Sequence, residues 1–476
     1  MVEFMDMLTN WVQGFNSFLW GTLFLIPLLV GTGIFYTFRL KFVQIRKFPL
    51  AVKYLCGGAT LFGKKADKTG MSSFQALTTA IAAQVGTGNV AGTATAMVMG
   101  GAGAIFWLWC AAFFGMATIF AEAVLAQVYK TYDKEGHVVG GPAYYMTLGL
   151  GEKARPLAVF FAIAIIIALG FIGNMVQSNT IAVAFNSAFH IPQWIVGCVV
   201  ALLAILVFVG GMARIAGLTE KLVPAMAALY IIGGTYVLIV HGSQIIPCFN
   251  EILQAAFTPE ALYGGGVGVS IQMAMRYGVA RGLFANEAGM GSTPHAHAVA
   301  KVDHPCHQGL VAIFGVFTTL VIITFTAMVI LVSGVFKAGK LGLDGVANPT
   351  GIKLTQMAYS VDMGTVGLSF VAICLFFFAF STIVGWYFFG AQNVRFLFGE
   401  NAVKTYRIFV TCFVLLGSFL EVTLVWELAD LFNGLMVVPN LIALWLLNKV
   451  VAKHLDEFDG LISGRIKPED LKKGEG

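Results

Sequence analysis

Apolar stretches of about twenty residues or more recur along the whole chain, each long enough to cross the hydrocarbon core of a bilayer. Polar breaks separate eleven such runs, at 18–38, 72–97, 102–128, 156–187, 193–211, 219–241, 267–299, 308–334, 366–394, 406–423 and 428–448. A chain patterned this way has lipid as its solvent, so its backbone N–H and C=O groups must be satisfied internally and the spans are expected to be helices. Composition agrees. With 58% hydrophobic and 11% charged residues, and a mean hydropathy of +0.83, the chain has too little charge to cover a water-facing globule. The expected class is an all-α integral membrane protein with about eleven transmembrane helices.

Other features narrow the class. Cys56, Cys110, Cys198, Cys248, Cys306, Cys374 and Cys412 stand singly, mostly inside apolar runs and without CxxC spacing, and read as packing residues. The N-terminus carries Glu3 and Asp6 where a signal peptide has a basic region, so the first run reads as a retained helix. The net charge of +5 implies no nucleic-acid partner.

Orientation follows Lys and Arg in short loops. Between the first two runs lie Arg39, Lys41, Arg46, Lys47, Lys53, Lys64, Lys65 and Lys68 against Asp67, which assigns this segment to the cytoplasm and the N-terminus to the outside. Alternation then puts Lys130, Lys134, Lys153 and Arg155 inside, followed by Arg214 and Lys221, Lys301, the Arg395–Arg407 segment and the tail from Lys449 to Lys473. The loop at 242–266 holds Glu251 and Glu260 without Lys or Arg, as an outer loop should. The loop at 335–365, with Lys337, Lys340 and Lys353 against Asp344 and Asp362, is the exception.

Setting aside residues 1–71 as an accessory helix and basic cytoplasmic segment leaves ten spans, five in 72–241 and five in 267–448, with the outer loop 242–266 between them and a cytoplasmic tail at 449–476. An odd number per half inverts the second half, and in inverted-repeat transporters a glycine-interrupted span at matching places points to the binding site. Both halves begin that way. The first reads SSFQALTTAIAAQVGTGNVAGTATAMVMG, with Gly86, Gly88 and Gly92 around Thr87 and Asn89. The second reads VGVSIQMAMRYGVARGLFANEAGMGSTPHAHA, with Gly282, Gly289 and Gly291 around Asn286 and Glu287, then Pro294. A single Gly-x-x-x-Gly, such as Gly88 to Gly92, often marks only helix packing. Two matched breaks, each with Asn, favour a site. Unwound backbone in hydrocarbon needs a ligand, an ion or a neighbouring helix, and a zwitterion with a cation meets that need: freed N–H groups at a half-helix N-terminus take a carboxylate, while bare carbonyls and the Asn89 side chain coordinate a hard cation.

The stretch GGAGAIFWLWCAAFFG from Gly100 to Gly115 resembles the signature of the alanine/glycine:cation symporter family, within the amino acid-polyamine-cation superfamily. GTGNVAG, GGPAYYM (Gly140 to Met146) and NEAGMGS (Asn286 to Ser292) resemble further blocks of that family, and the likeness spans nearly the whole chain. Leu108 stands where the family usually has Met, and Cys110 is also a departure, both readable as packing changes. The resemblance implies the fold of the bacterial leucine transporter, with ten core helices in two inverted fives and core helices one and six broken. It also implies a multi-pass protein of the inner (plasma) membrane, importing small neutral amino acids such as alanine and glycine with sodium by alternating access. No enzyme activity, no cofactor and no metal other than sodium are implied, and the oligomeric state is left open.

For sodium, the resemblance points to the carbonyls of Ala82 and Val85 and the hydroxyls of Ser381 and Thr382, with Asn89 at a second cation position. For substrate, it and the physics meet on Gly86, Thr87 and Gly88 with Gln84 nearby. Phe284, Asn286, Met290 and Trp386 are candidates for the facing walls and the amino-group contact. Bulky walls leave room for little beyond a methyl side chain.

Glu287 is an intramembrane carboxylate and so a functional candidate by default; it is read as an ammonium contact, a proton carrier, or a structural acid for the unwound backbone, Asn89 or Thr87. Glu122 reads as pairing with a loop cation or reaching water. His295, His297, His304, Cys306 and His307 show no closed metal-ligand spacing and read as a solvated loop or inner gate. A channel would need a continuous polar pore, and an enzyme a nucleophile with its base or a metal cluster; neither pattern appears. The alternative carried forward is a proton-coupled symporter of another small solute.

Overall fold

The computed structural model describes residues 2–21, 24–56, 70–257, 271–336, 349, 351–420 and 422–466. Lys64, Lys65, Asp67, Lys68, Glu260, Lys337, Lys340 and Asp344, the first residues of the second glycine-interrupted span and the tail beyond 466 lie outside them. Among the described residues, six helices are long and apolar enough to cross a membrane: Gly103–Val128, Glu152–Phe189, Gly211–Val240, Pro305–Val332, Thr365–Phe398 and Trp426–Leu446. Leu25–Arg39 and Gln193–Val209 are shorter apolar helices. All fall on predicted runs.

Two predicted runs are not single helices. The run at 72–97 is divided into Ser73–Gln84 and Thr93–Gly100, joined by a π turn over Gly88–Gly92. The run at 267–299 is divided into Ile271–Asn286 and Pro294–Ala298. Both pack among the Gly103–Val128, Pro305–Val332 and Thr365–Phe398 helices.

The first run at 18–38 needs correction. A helix from Val2 to Leu19 ends where that run was expected to begin, and a second helix starts at Leu25. Pro27 has no N–H to donate and falls in the first turn of the second helix, where that donor is not needed. The Val2–Leu19 helix lies against the Val422–Leu446 helix, where Asn16 Nδ2 donates to the Glu427 carbonyl at 2.8 Å and to its Oε2 at 2.7 Å.

Segments outside the predicted runs carry short helices, among them Pro142–Leu150, Ile245–Ala255, Ile352–Met363 and Asn448–Ile462. The Asn448–Ile462 helix buries Val451, Leu455 and Phe458, and Arg46 and Lys47 pin it through Asp459 at 2.6 and 2.5 Å. Burial pushes the Asp459 carboxyl up, but hydrogen bonds from Lys47 and Arg46 outweigh it and hold the group below the ordinary carboxylate range.

One long helix is irregular inside. Glu152–Phe189 runs unbroken along the chain, yet Ile166–Gly173 is wound as a π-helix. The polar residues Asn174, Gln177 and Ser178 follow it directly, all buried.

Candidate functional site

The first break is built locally. Ser72 and Gln75 form a reciprocal capping box at the start of the Ser73–Gln84 helix. The helix stops at Val85, and Asn89 folds back so that its Oδ1 accepts the Gly86 N–H at 3.0 Å. The next freed amide, Thr87 N–H, donates to Oε1 of Gln177 at 3.1 Å, so a neighbouring helix satisfies what the break exposes.

Close approach explains two glycines here. A methyl carbon at Gly86 would lie 2.4 Å from Thr382 Oγ1 and 3.0 Å from Gln177 Oε1. One at Gly88 would lie 2.9 Å from the Phe284 ring and 3.2 Å from Ala285 Cα. Gly88 is therefore where the two broken spans touch, and Gln84 joins them again by donating to the Asn286 carbonyl at 2.8 Å.

Ser381 and Thr382 both reach the first break from the Thr365–Phe398 helix. Thr382 Oγ1 donates to the Ala82 carbonyl at 2.8 Å and lies 3.3 Å from the Ala83 carbonyl; Ser381 Oγ lies 3.3 Å from the Ala82 carbonyl. The same hydroxyls also bond back to Phe378 O at 2.8 and 3.0 Å, as hydroxyls in membrane helices do. Two buried hydroxyls thus meet the carbonyls of Ala82, Ala83 and Phe378, and Ala83 and Phe378 were not read from the sequence.

The second break begins at Glu287, a non-glycine residue in the left-handed region at φ 57°. Its carboxylate accepts from the Trp386 indole N–H at 2.6 Å and from the Ser292 hydroxyl at 2.5 Å. Phe284 meets Trp386 edge-on, with ring centroids 5.7 Å apart. Met290 is buried in the same turn, its N–H bonded to Glu287 O at 3.1 Å. Asn286 closes its own turn, Oδ1 accepting the Ala288 N–H at 2.9 Å, and its side chain lines a small cavity with Leu29, Phe114 and Gly115.

Glu122 departs from its expected role. It neither pairs with a loop cation nor reaches water; it is fully buried, its oxygens accepting the N–H of Gly289 at 3.0 Å and of Gly291 at 2.9 Å. Asn440 Nδ2 donates to it at 2.6 Å and to Gly289 O at 2.9 Å, while Asn440 Oδ1 accepts from the Tyr145 hydroxyl. The bare amides of the second break are thus held by Glu122, and Glu287 is directed to Trp386 and Ser292. The GGPAYYM block contributes Tyr145 to this cluster.

The histidines also differ from expectation. His295 and His297 are buried, not in a solvated loop: His295 bonds Ser292 O at 2.7 Å and Asn393 Nδ2 at 2.8 Å, and His297 bonds Gln308 Oε1 at 2.8 Å.

Several buried polar atoms around the breaks have no hydrogen-bond partner among the described residues: Gln84 Oε1, Thr87 Oγ1, Asn89 Nδ2, Gln177 Nε2, Ser178 Oγ and Asn286 Nδ2. Each is costly to bury unpaired, so such a concentration marks a place for a polar guest. A cavity of about 570 Å³ opens beside the broken spans, lined by Thr95, Tyr277, Ile352 and Trp426 among others. Arg281 and Asp430 also line it, paired bidentately at 2.7 and 2.8 Å, with the guanidinium 4.9 Å from the Trp426 ring centre.

Gln177, Ser178, Arg281 and Asp430 were missed in the sequence. The signal was there: NMVQSN sits inside an apolar run, and Arg281 inside a broken one.

Comparison with known proteins places this architecture. A family model described as the sodium:alanine symporter family matches residues 5–470. The chain is 43% identical over 462 residues to the sodium/alanine symporter AgcS of Methanococcus maripaludis, covering 96% of this chain and 98% of that one. It is 42% identical over 446 residues to the probable sodium/glutamine symporter GlnT of Bacillus subtilis, covering 93% and 89% respectively. Among solved structures it resembles MhsT in complex with L-phenylalanine, at TM-score 0.56 and 14% identity, over 83% of this chain and 98% of that one. That last likeness extends to the fold alone. The chain is a multi-pass membrane protein that belongs to the sodium:alanine symporter family.

Proposed function

We propose that this protein imports a small neutral amino acid, alanine or glycine, together with sodium, by alternating access. The observation that carries the reading is the row of buried polar atoms on Gln84, Thr87, Asn89 and Gln177 that have no hydrogen-bond partner among the described residues, beside the first break. In this reading the amides of Gly86 and Thr87, now held by Asn89 and Gln177, turn with that of Gly88 to the carboxylate, with Gln84 nearby. Asn286 serves the amino group, and Phe284, Met290 and Trp386 wall off the side chain. Sodium sits between the carbonyls of Ala82 and Val85 and the hydroxyls of Ser381 and Thr382, and Asn89 serves a second cation position. The halves at 72–241 and 267–448 act as inverted repeats, with the N-terminus outside and the C-terminal tail cytoplasmic.

The edge contact of Phe284 with Trp386 supports the small end of the family's substrate range. A relative named for sodium and glutamine belongs to the same family, so wall residues and not the fold set that range. Proton coupling is kept as a second reading because Glu122 and Glu287 are both buried near the second break, and a Bacillus subtilis relative at 37% identity is named a putative sodium/proton-dependent alanine carrier.

Radiolabelled alanine uptake into proteoliposomes tests both readings. Sodium replaced by choline abolishes uptake under the sodium reading. Uptake that survives the replacement and follows a pH gradient replaces it with the proton reading.

A further inference from the structure

We propose that His304, His454 and Glu457 form a binding site for a first-row divalent metal ion, Zn²⁺ by the chemistry of its donors, tying the C-terminal helix to the segment after the second broken span. One ligand atom from each of the three lies within 4.8 Å of the other two. Donors around a tetrahedral zinc ion stand about 3.3 Å apart, so small side-chain rotations close the set. Two imidazoles and a carboxylate, with water in the fourth position, is a recognised zinc arrangement.

The sequence hid this site because its members are far apart. His304 stands just before the Pro305–Val332 helix, and His454 and Glu457 lie on the Asn448–Ile462 helix. The fold brings them together by packing Phe458 against the His304 ring, with centroids 5.1 Å apart. His454 Nδ1 lies 2.9 Å from Glu457 Oε2, so these two donors already stand within reach of one ion. His304 is buried, which restricts its ring, while His454 and Glu457 are half-buried.

Metal binding changes contacts that these side chains already make. His304 Nδ1 accepts the Cys306 N–H at 3.2 Å as a helix cap. A neutral imidazole has one lone pair, so a metal-bound His304 gives up that cap. Lys453 Nζ, 3.7 Å from Glu457 Oε1 and largely exposed, moves into solvent. His307 takes no part, being bonded through Nε2 to the Tyr54 hydroxyl at 2.9 Å.

A second cluster, Asp133 with His137 and Glu400, has a similar spread but a different occupant. Arg395 already lies 2.5 Å from Glu400 and 3.4 Å from Asp133, so a guanidinium fills the place of a cation there.

The test is metal binding by the purified full-length protein, independent of transport. Co²⁺ titration should give saturable visible absorption at about one equivalent, reversed by Zn²⁺. His304→Asn keeps a helix-capping side chain but loses the imidazole, and His454→Gln removes the second ligand; each should weaken Co²⁺ binding about tenfold or more while eluting as the wild type on size exclusion. X-ray absorption of the wild-type zinc complex should count two imidazoles, and Zn²⁺ should slow hydrogen exchange across residues 448–462. The proposal is overturned by absent saturable binding, by fewer than two imidazoles in the zinc complex, or by unchanged affinity in both variants.

Discussion

Thr382 donates its hydroxyl to the Ala82 carbonyl at 2.8 Å, across 300 residues of sequence. The bond joins an unbroken helix to the last turn of a broken one, and it holds together two oxygens that a sodium ion would share. Thr382→Ala and Asn89→Ala should each raise the sodium concentration for half-maximal alanine uptake, by about tenfold for the loss of one charge-dipole contact. Thr382→Ser keeps the oxygen and should stay near wild type. Unchanged sodium dependence in both alanine variants removes these residues from the ion site.

Gly86→Ala is predicted to abolish uptake while leaving expression measurable. The added methyl carbon meets Thr382 Oγ1 at 2.4 Å, so either the break or the Thr365–Phe398 helix must shift. Overpacking of this kind costs about 1–3 kcal/mol. Thermal unfolding of purified protein and uptake by the same preparation separate the stability effect from the transport effect; full activity would mean the contact is not needed.

Glu122→Ala should destabilise the protein by about 3 kcal/mol, since it leaves the Gly289 and Gly291 amides and one of the two Asn440 Nδ2 protons without an acceptor. Asn440→Ala also removes three bonds, but only one of them reaches a carboxylate, and it should cost less. A denaturant series in detergent that ranks the two variants the other way contradicts Glu122 as the holder of this break.

Trp386→Phe retains an aromatic wall but deletes the indole N–H that Glu287 accepts at 2.6 Å. Uptake should fall about tenfold, by about 1.5 kcal/mol for a hydrogen bond to a charged group. Trp386→Ala removes the wall itself, and unlabelled leucine should then compete with alanine for uptake. No change in the competition profile would place Trp386 outside the substrate wall.

Much of this was legible in the residues because membrane solvation is strict. Gly103–Val128 and Pro305–Val332 are recovered within a few residues, since long apolar runs have no other solution in lipid. The breaks were legible for the same reason, as Gly86, Gly88, Gly289 and Gly291 interrupt runs that otherwise continue. Ser381 and Thr382 came through resemblance, and their meeting with Ala82 is a tertiary fact. Glu122 was misread because its position near one end of an apolar run fits snorkelling as well as burial, and only the fold shows Gly289 and Gly291 beside it. Helices such as Ile245–Ala255 escaped because a short helix with one buried face, here Cys248 and Ile252, leaves no long apolar run.

The wide winding over Ile166–Gly173 sets the angular position of everything after it. A residue gained or lost in a helix turns the downstream side chains by roughly 100°. Shortening that stretch by a single apolar residue would keep the span hydrophobic, yet rotate Gln177 off the Thr87 amide it now receives. The wall facing the first break is therefore specified by chain length as much as by residue type.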